Sequence, residues 1–414
     1  MFETVVRETM LDIVARQLGI DPVEMRRRNL LHQPDLPYAN AMGLTYDRVT
    51  PAETLEQALE IIDYDGFRRE QAGARREGRY LGIGVSVYIE PSAVTASTVP
   101  GEAIVRIERD GSVEVLLGTY SQGHSMETTM AQVVAEHLGV DIDLVTVVQG
   151  DTERTPYGPP TGGSRNAVSG GGAAREAALA IRGRVIEEAA VAMEAAPEDL
   201  ELRGGVVSVR GTPTRSISVA EVAAIVHDRV RGSADPSHPL EVAVEFKAQA
   251  RYTYSNATHV ATCEVDVHTG RVSLLRFVVS EDCGMMINPK VVEGQIAGGV
   301  VQGVGGVLLE EFHYDQDGNP LTTTYLDYLL PTAAEVPVIE YGHVMSPSAD
   351  PGGFKGMGEG GAIGAPAAVI NAVADALSPF GVTVTSQPLT PPVVLALISQ
   401  SRQRHRDDAR LVVD

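Results

Sequence analysis

Apolar residues recur at helical spacing from the first turns of the chain, at Val5, Val6, Met10, Ile13, Val14 and Leu18, and Gly19 closes the run. The spacing predicts a helix, and a chain that opens inside an element suggests further sequence upstream. Asp21-Pro22-Val23-Glu24 reads as the next helix start, with Asp21 as N-cap, Pro22 at the first helical position and Glu24 completing a capping box. Helices are also expected over 54–62 and 67–77. The second carries Arg68, Arg69, Arg75 and Arg76, with Arg79 just beyond, and reads as a solvated linker rather than a binding patch.

From Tyr80 alternation replaces helical spacing. Residues 104–109 and 112–117 alternate on either side of Asp110-Gly111, a dipeptide that accepts the positive φ angles of a tight hairpin. A second hairpin is expected between 260–267 and 272–279, around His268-Thr269-Gly270. Helical spacing returns over 126–138, 173–193, 218–228, 289–311 and 366–377. Strands and helices mix without regular βαβ alternation, so the pattern predicts an α+β fold.

Composition narrows the function classes. With 414 residues, 43% of them hydrophobic, the chain can bury a sizeable core in more than one domain. A formal net charge of -22 repels phosphate backbones and anionic lipid, which makes nucleic acid and membrane poor partners. No uninterrupted apolar run of about 18 residues stands out as a span. The charged first turns lack the apolar core of a signal peptide. Cys263 and Cys283 form no C-x-x-C pair, so no iron–sulfur cluster or structural zinc site is expected in this chain, and a reducing cytoplasmic setting fits.

Glycine is abundant, at 42 residues, and tryptophan is absent. Three Gly/Ser-rich stretches run into helix starts, at 121–125, 159–172 and 352–361, where free backbone N–H groups could cradle an anion or a polar ring edge. The expected helix after Asn288-Pro289 adds Gly294, Gly298, Gly299, Gly303, Gly305 and Gly306, which implies close packing of its backbone, and carries the amides Gln295 and Gln302. Gly356, Gly358 and Gly361 also match G-x-G-x-x-G with Asp375 downstream. A dinucleotide site would need a strand before that motif, and Ser346–Gly353 contains two prolines instead.

In chain order, Asp21-Pro-Val-Glu-Met-Arg-Arg-Arg-Asn29, Gly118-Thr-Tyr-Ser-Gln-Gly-His-Ser-Met-Glu-Thr-Thr129, Thr161-Gly-Gly-Ser-Arg-Asn166, Asp282-Cys-Gly-Met-Met-Ile-Asn-Pro289, Glu293-Gly-Gln-Ile-Ala-Gly-Gly-Val-Val-Gln-Gly303 and Lys355-Gly-Met-Gly-Glu-Gly-Gly361 resemble the molybdopterin-binding large subunits of the xanthine dehydrogenase/aldehyde oxidase superfamily, the carbon monoxide dehydrogenase type in particular. The resemblance implies that residues 1–78 are a remnant of the first molybdopterin-binding domain plus a linker helix. Residues 79–400 would form the second such domain and 401–414 a polar tail.

It implies oxidoreductase chemistry: hydroxylation of an aldehyde or N-heteroaromatic carbon with oxygen from water. Glu359 would be the general base, a task for which burial can tune a carboxylate. Cofactor contacts carry over to Gln122, Gly123 and His124, to Gly162, Gly163, Ser164 and Asn166, and to Gln295. The cofactor would be molybdopterin in its cytosine dinucleotide form. Partners would be a chain supplying the missing N-terminal half, an iron–sulfur small subunit and an FAD medium subunit. Lys355 could hold Glu359 charged, touch the cofactor or lie on the surface. One segment departs from the family pattern: His124, Ser125 and Met126 stand where Gln, Gly and His are usual. The alternative is an incomplete, non-catalytic module that associates with a related complex.

Overall fold

The computed structural model describes residues 2–93, 98–231, 238–249 and 252–411, with 404–411 as backbone only. Helices α1 (Phe2–Leu18) and α2 (Pro22–Arg27) form where expected, and Asp21 accepts from the backbone N–H groups of Val23 and Glu24. Glu24 leaves the capping box open and accepts from Arg28 Nε at 2.8 Å instead.

α1 turns a polar face inward and part of its apolar stripe outward. It buries Thr4, Glu8, Thr9, Asp12 and Ala15, and leaves Phe2, Val6 and Met10 exposed. Arg26 is the cause. Only 1% exposed, its guanidinium donates to Glu8 Oε2 (2.8 Å), Asp12 Oδ1 (2.7 Å) and the Val85 carbonyl oxygen (2.8 Å). A buried charge is tolerated only when paired and hydrogen-bonded, so this cluster, not the apolar stripe, sets which face of α1 turns inward.

A small ribbon of β1 (Tyr38–Ala39) and β2 (Thr45–Tyr46) leads to α3 (Pro51–Ile62) and α4 (Tyr64–Arg76). The arginine-rich α4 is docked rather than free. Arg68 donates to Asp375 Oδ2 (2.8 Å) and Arg75 to the Asp375 carbonyl oxygen (3.2 Å), while Arg69 and Arg76 stay exposed.

The chain then forms β3 (Tyr80–Ser92), β4 (Gly101–Ile107), β5 (Val113–Leu117), α5 (Met126–Leu138), β6 (Val145–Gln149) and α6 (Asn166–Met193). A three-stranded ribbon follows, β7 (Leu200–Arg203), β8 (Val206–Val209) and β9 (Thr212–Ser218), then α7 (Val219–Val230) and β10 (Glu241–Phe246). The last part is β11 (Thr253–Val265), β12 (Val272–Asp282), α8 (Pro289–Leu308), β13 (Ile339–His343), α9 (Gly360–Ala376) and α10 (Pro391–Leu411). Both expected hairpins are present, as β4/β5 and β11/β12.

Two four-stranded sheets result, ordered β10-β4-β5-β6 and β13-β12-β11-β3. In each, one pair is parallel, β5/β6 and β12/β13, and the rest are antiparallel, which makes the fold α+β as expected. The first sheet carries α6 and α5. The second lies between α3 and α9, with α8 stacked on α9.

α3 and α4 begin one turn earlier than their periodicity suggests, and α6 and α9 about two turns earlier. α6 starts at Asn166 and takes in Gly170-Gly171-Gly172, because these glycines meet other elements at short range: a Cβ on Gly172 would lie 2.5 Å from the Phe246 ring. α9 starts at Gly360 and holds Pro366 in its interior. Burial of nearly the whole helix offsets the hydrogen bond that a mid-helix proline removes. α8 ends at Leu308 rather than 311. Among the described residues, α8 is the helix long and apolar enough to cross a membrane, with mean hydropathy 1.2. Here it is a core helix, with Ile296, Val300 and Val304 fully buried. α10 runs across position 400 and buries Ser401.

Candidate functional site

The loop before α5, the loop before α6, the face of α8 and the turn into α9 converge on a cleft of about 320 Å³. Gln122, His124, Gly162, Ser164, Asn166, Gln295 and Glu359 all line it. Gly123 and Gly163 sit beside these residues in the same loops, whereas Gln302 is exposed and lies elsewhere on α8.

Close backbone approach holds the cleft together. A Cβ on Gly356 would fall 1.5 Å from the Ser164 carbonyl oxygen, so only glycine lets the loop ahead of Glu359 cross the loop ahead of α6. Gly356 N donates to Ser92 Oγ (3.1 Å), and Gln295 Nε2 donates to the Gly358 carbonyl oxygen (3.1 Å). Glu359 thus hangs from a turn fixed by β3 on one side and α8 on the other.

The unusual triplet still joins two loops. His124 Nδ1 accepts from the Gln122 N–H (3.2 Å), and its Nε2 lies 3.0 Å from the Asn166 amide nitrogen. Burial lowers the His124 pKa, which favours the neutral ring. Asn166 Nδ2 also donates to Thr161 Oγ1 (2.8 Å), while Asn166 Oδ1 is buried without a protein partner.

Lys355 belongs to neither surface nor base. It is buried, and Nζ donates to the Arg48 carbonyl oxygen (2.6 Å) and Asp282 Oδ2 (3.1 Å), fastening the glycine loop to the segment before α3. Burial lowers its pKa, against the opposing pull of Asp282.

Glu359 is exposed to the cleft, so the burial expected of it is absent. The desolvated carboxyl is Glu90 on β3, which sequence reasoning missed. Glu90 accepts from Ser164 Oγ (2.8 Å) and Ser255 Oγ (3.3 Å), and burial pushes its pKa up to about 7. The serine hydrogen bonds oppose that rise and the Glu359 charge adds to it. Ser164 Oγ also lies 2.9 Å from Glu359 Oε2. The available signal was an acid at the end of the apolar run Leu81–Ile89, where a buried polar residue is the informative exception. The apolar wall, including Met285, Met286 and Met357, was also missed.

Behind Glu90, Tyr88 Oη donates to Glu281 Oε2 (3.2 Å), and burial raises the fully enclosed Glu281 carboxyl well above its usual range. A dinucleotide site is ruled out by structure. No strand leads directly into Gly356, and Asp375 is occupied by Arg68, Gln71 and the Ile83 N–H.

Comparison with known proteins agrees with this architecture. Residues 57–337 match the model of the molybdopterin cofactor-binding domain family. The nicotine 6-hydroxylase large subunit of Paenarthrobacter nicotinovorans is 40% identical over 95% of this chain and 49% of its own length. The carbon monoxide dehydrogenase large chain of Hydrogenophaga pseudoflava is 32% identical over 92% of this chain and 49% of its own. The crystal structure of quinoline 2-oxidoreductase from Pseudomonas putida 86 superposes with a TM-score of 0.88 at 40% identity, covering 96% of this chain and 52% of that one. The chain spans about half the length of the curated relatives it matches. It belongs to the molybdopterin cofactor-binding domain family and is similar to the large subunits of carbon monoxide dehydrogenase- and xanthine dehydrogenase-type enzymes.

Proposed function

We propose that this chain is the cofactor-binding part of a molybdenum hydroxylase large subunit that hydroxylates an N-heteroaromatic ring carbon, or an aldehyde, with oxygen from water. The observation that carries this reading is the position of Glu359, at the edge of a cleft formed by the loops that the family resemblance marks as cofactor contacts. The names of two relatives at 40% identity, a nicotine 6-hydroxylase and a quinoline 2-oxidoreductase, favour the N-heteroaromatic class.

The residues present fit a molybdopterin. The space over Gly123 and Gly162 is open, so these loops leave room for a ring edge against their backbone. Gln122, Gly123, His124, Gly162, Gly163, Ser164, Asn166 and Gln295 would hold the group, in the cytosine dinucleotide form by likeness to the carbon monoxide dehydrogenase chains. When bound, it supplies the redox centre that takes two electrons from the substrate. Converting C–H and water to C–OH also releases two protons, and Glu359 accepts one of them. The methionines of the wall offer an adaptable apolar surface to a flat ring.

Electrons would leave through iron–sulfur and FAD partner chains. The exposed apolar residues Phe2, Val6 and Met10 on α1, and Tyr325, Leu326 and Val338 between α8 and β13, are surfaces such partners would cover. Metal and nucleotide analysis of the complex purified with its neighbours tests the reading. One molybdenum and one cytosine dinucleotide per chain are expected. Sub-stoichiometric molybdenum in a correctly assembled complex would favour a non-catalytic module.

A further inference from the structure

Ser164 Oγ stands between two carboxyl groups, 2.8 Å from Glu90 Oε1 and 2.9 Å from Glu359 Oε2. It also accepts from the Glu359 backbone N–H at 3.3 Å. A hydroxyl has one proton to donate and two lone pairs to accept with. One lone pair takes the Glu359 N–H, and the hydroxyl proton satisfies one carboxylate. The contact with the other carboxyl is a hydrogen bond only if that carboxyl carries a proton and donates it to the second lone pair. Two ionised carboxylates would leave one oxygen–oxygen contact of hydrogen-bond length with no proton in it.

We propose that Glu90 and Glu359 hold a single proton between them through Ser164 Oγ, with Glu90 carrying it at rest: the Glu90 O–H donates to Ser164 Oγ, and the Ser164 O–H donates to Glu359 Oε2. Glu359 is thereby held ionised and ready to accept a proton. Glu90 is a positioning residue, since it touches Glu359 only through Ser164.

The surroundings suit Glu90 to that role. It is 7% exposed, and its pKa, pushed up to about 7, lets it hold or release a proton near neutrality. The groups facing it are the hydroxyls of Ser164 and Ser255, the Glu359 carboxylate, and Glu281 and Tyr88 on the same sheet face. Burial raises the Glu281 carboxyl well above its usual range, which favours its neutral form. Ser164 has φ of 50°, in the left-handed region that non-glycine residues seldom occupy. Strain of this kind persists where the surroundings hold the side chain for a purpose.

The idea rests on the functional reading above, but its test does not depend on turnover. Infrared difference spectra of the assembled complex, taken below and above the Glu90 value of about 7, report protonated carboxyl C=O bands that titrate in that range. Ordinary carboxylates are already ionised there, and the Glu90→Gln comparison separates the Glu90 band from that of the buried Glu281. We expect one such band, absent in Glu90→Gln. Glu359→Gln should move its titration to lower pH, because removing the Glu359 charge removes a cause that raises Glu90. Ser164→Gly, which also relieves the backbone strain, should shift the band frequency by deleting the bridge while Glu90 stays buried.

In the cofactor-loaded enzyme, Glu90→Gln should abolish the near-neutral step of the kcat/KM pH profile, an effect a merely structural role would not produce. A band that survives Glu90→Gln, or one indifferent to both Glu359→Gln and Ser164→Gly, would overturn the proposal. The base role of Glu359 would stand or fall separately, on turnover.

Discussion

Arg26→Met should release α1 from the sheet. The substitution keeps an unbranched apolar stem but removes the guanidinium, leaving Glu8 and Asp12, each 2% exposed, without their shared cation. Breaking a buried ion pair from one side costs about 3–5 kcal/mol, because the remaining charge is stranded. Here the lower end applies. Glu8 keeps the Val87 N–H (3.0 Å) and Arg7 (3.1 Å), and Asp12 keeps Arg16 at 3.6 Å. About 3 kcal/mol corresponds to roughly a hundredfold change in an opening equilibrium, at about 1.4 kcal/mol per factor of ten.

Amide hydrogen exchange of α1 in the assembled complex measures that local opening directly. Arg27→Met is the control, since the Arg27–Glu56 pair is 46% and 56% exposed and such pairs contribute about 0.2–1 kcal/mol. Adding Glu8→Gln and Asp12→Asn to Arg26→Met should recover most of the protection, because no buried charge is then left unpaired. If α1 exchanges no faster in Arg26→Met than in Arg27→Met, the cluster does not set the helix's rotation.

Two further outcomes follow from the same geometry. Gly356→Ala should leave the far-ultraviolet spectrum native while the purified complex loses molybdenum and pterin, since the added Cβ forces apart the loops that meet at Ser164; full cofactor content would show that the crossing is not needed. His259→Leu should shift acid unfolding to lower pH. Burial holds His259 down to about 3, below its unfolded value of about 6.5, so the unfolded chain binds the extra proton and stability falls as pH drops from about 6.5 toward 3; an unchanged acid midpoint would contradict this.

Element types were largely legible because the apolar periods are long and their turns carry Gly or Pro: α5 at 126–138 and the hairpin at Asp110-Gly111 stand where the pattern puts them. What periodicity leaves open or misplaces shares a physical cause. Val6 and Met10 satisfy the helical period, but Arg26, far along the chain, draws Glu8 and Asp12 inward, and periodicity carries no record of a charge pair across space. Pro366 reads as a helix start because its cost is local, whereas the packing that offsets it comes from α8 and β11. At the site, short motifs marked the loops that meet in the cleft. Glu90 is a lone strand acid whose significance comes from Ser164, reached only when the loops cross.

The central claim, that Glu359 is the base of a molybdenum hydroxylase, is tested most directly by Glu359→Gln in the assembled, cofactor-loaded complex. The amide is nearly isosteric but cannot accept a proton at neutral pH. Molybdenum content should match wild type while kcat falls about 10²–10⁴-fold, the usual share of general-base catalysis. A fully loaded variant retaining more than about a tenth of the wild-type rate would contradict the assignment.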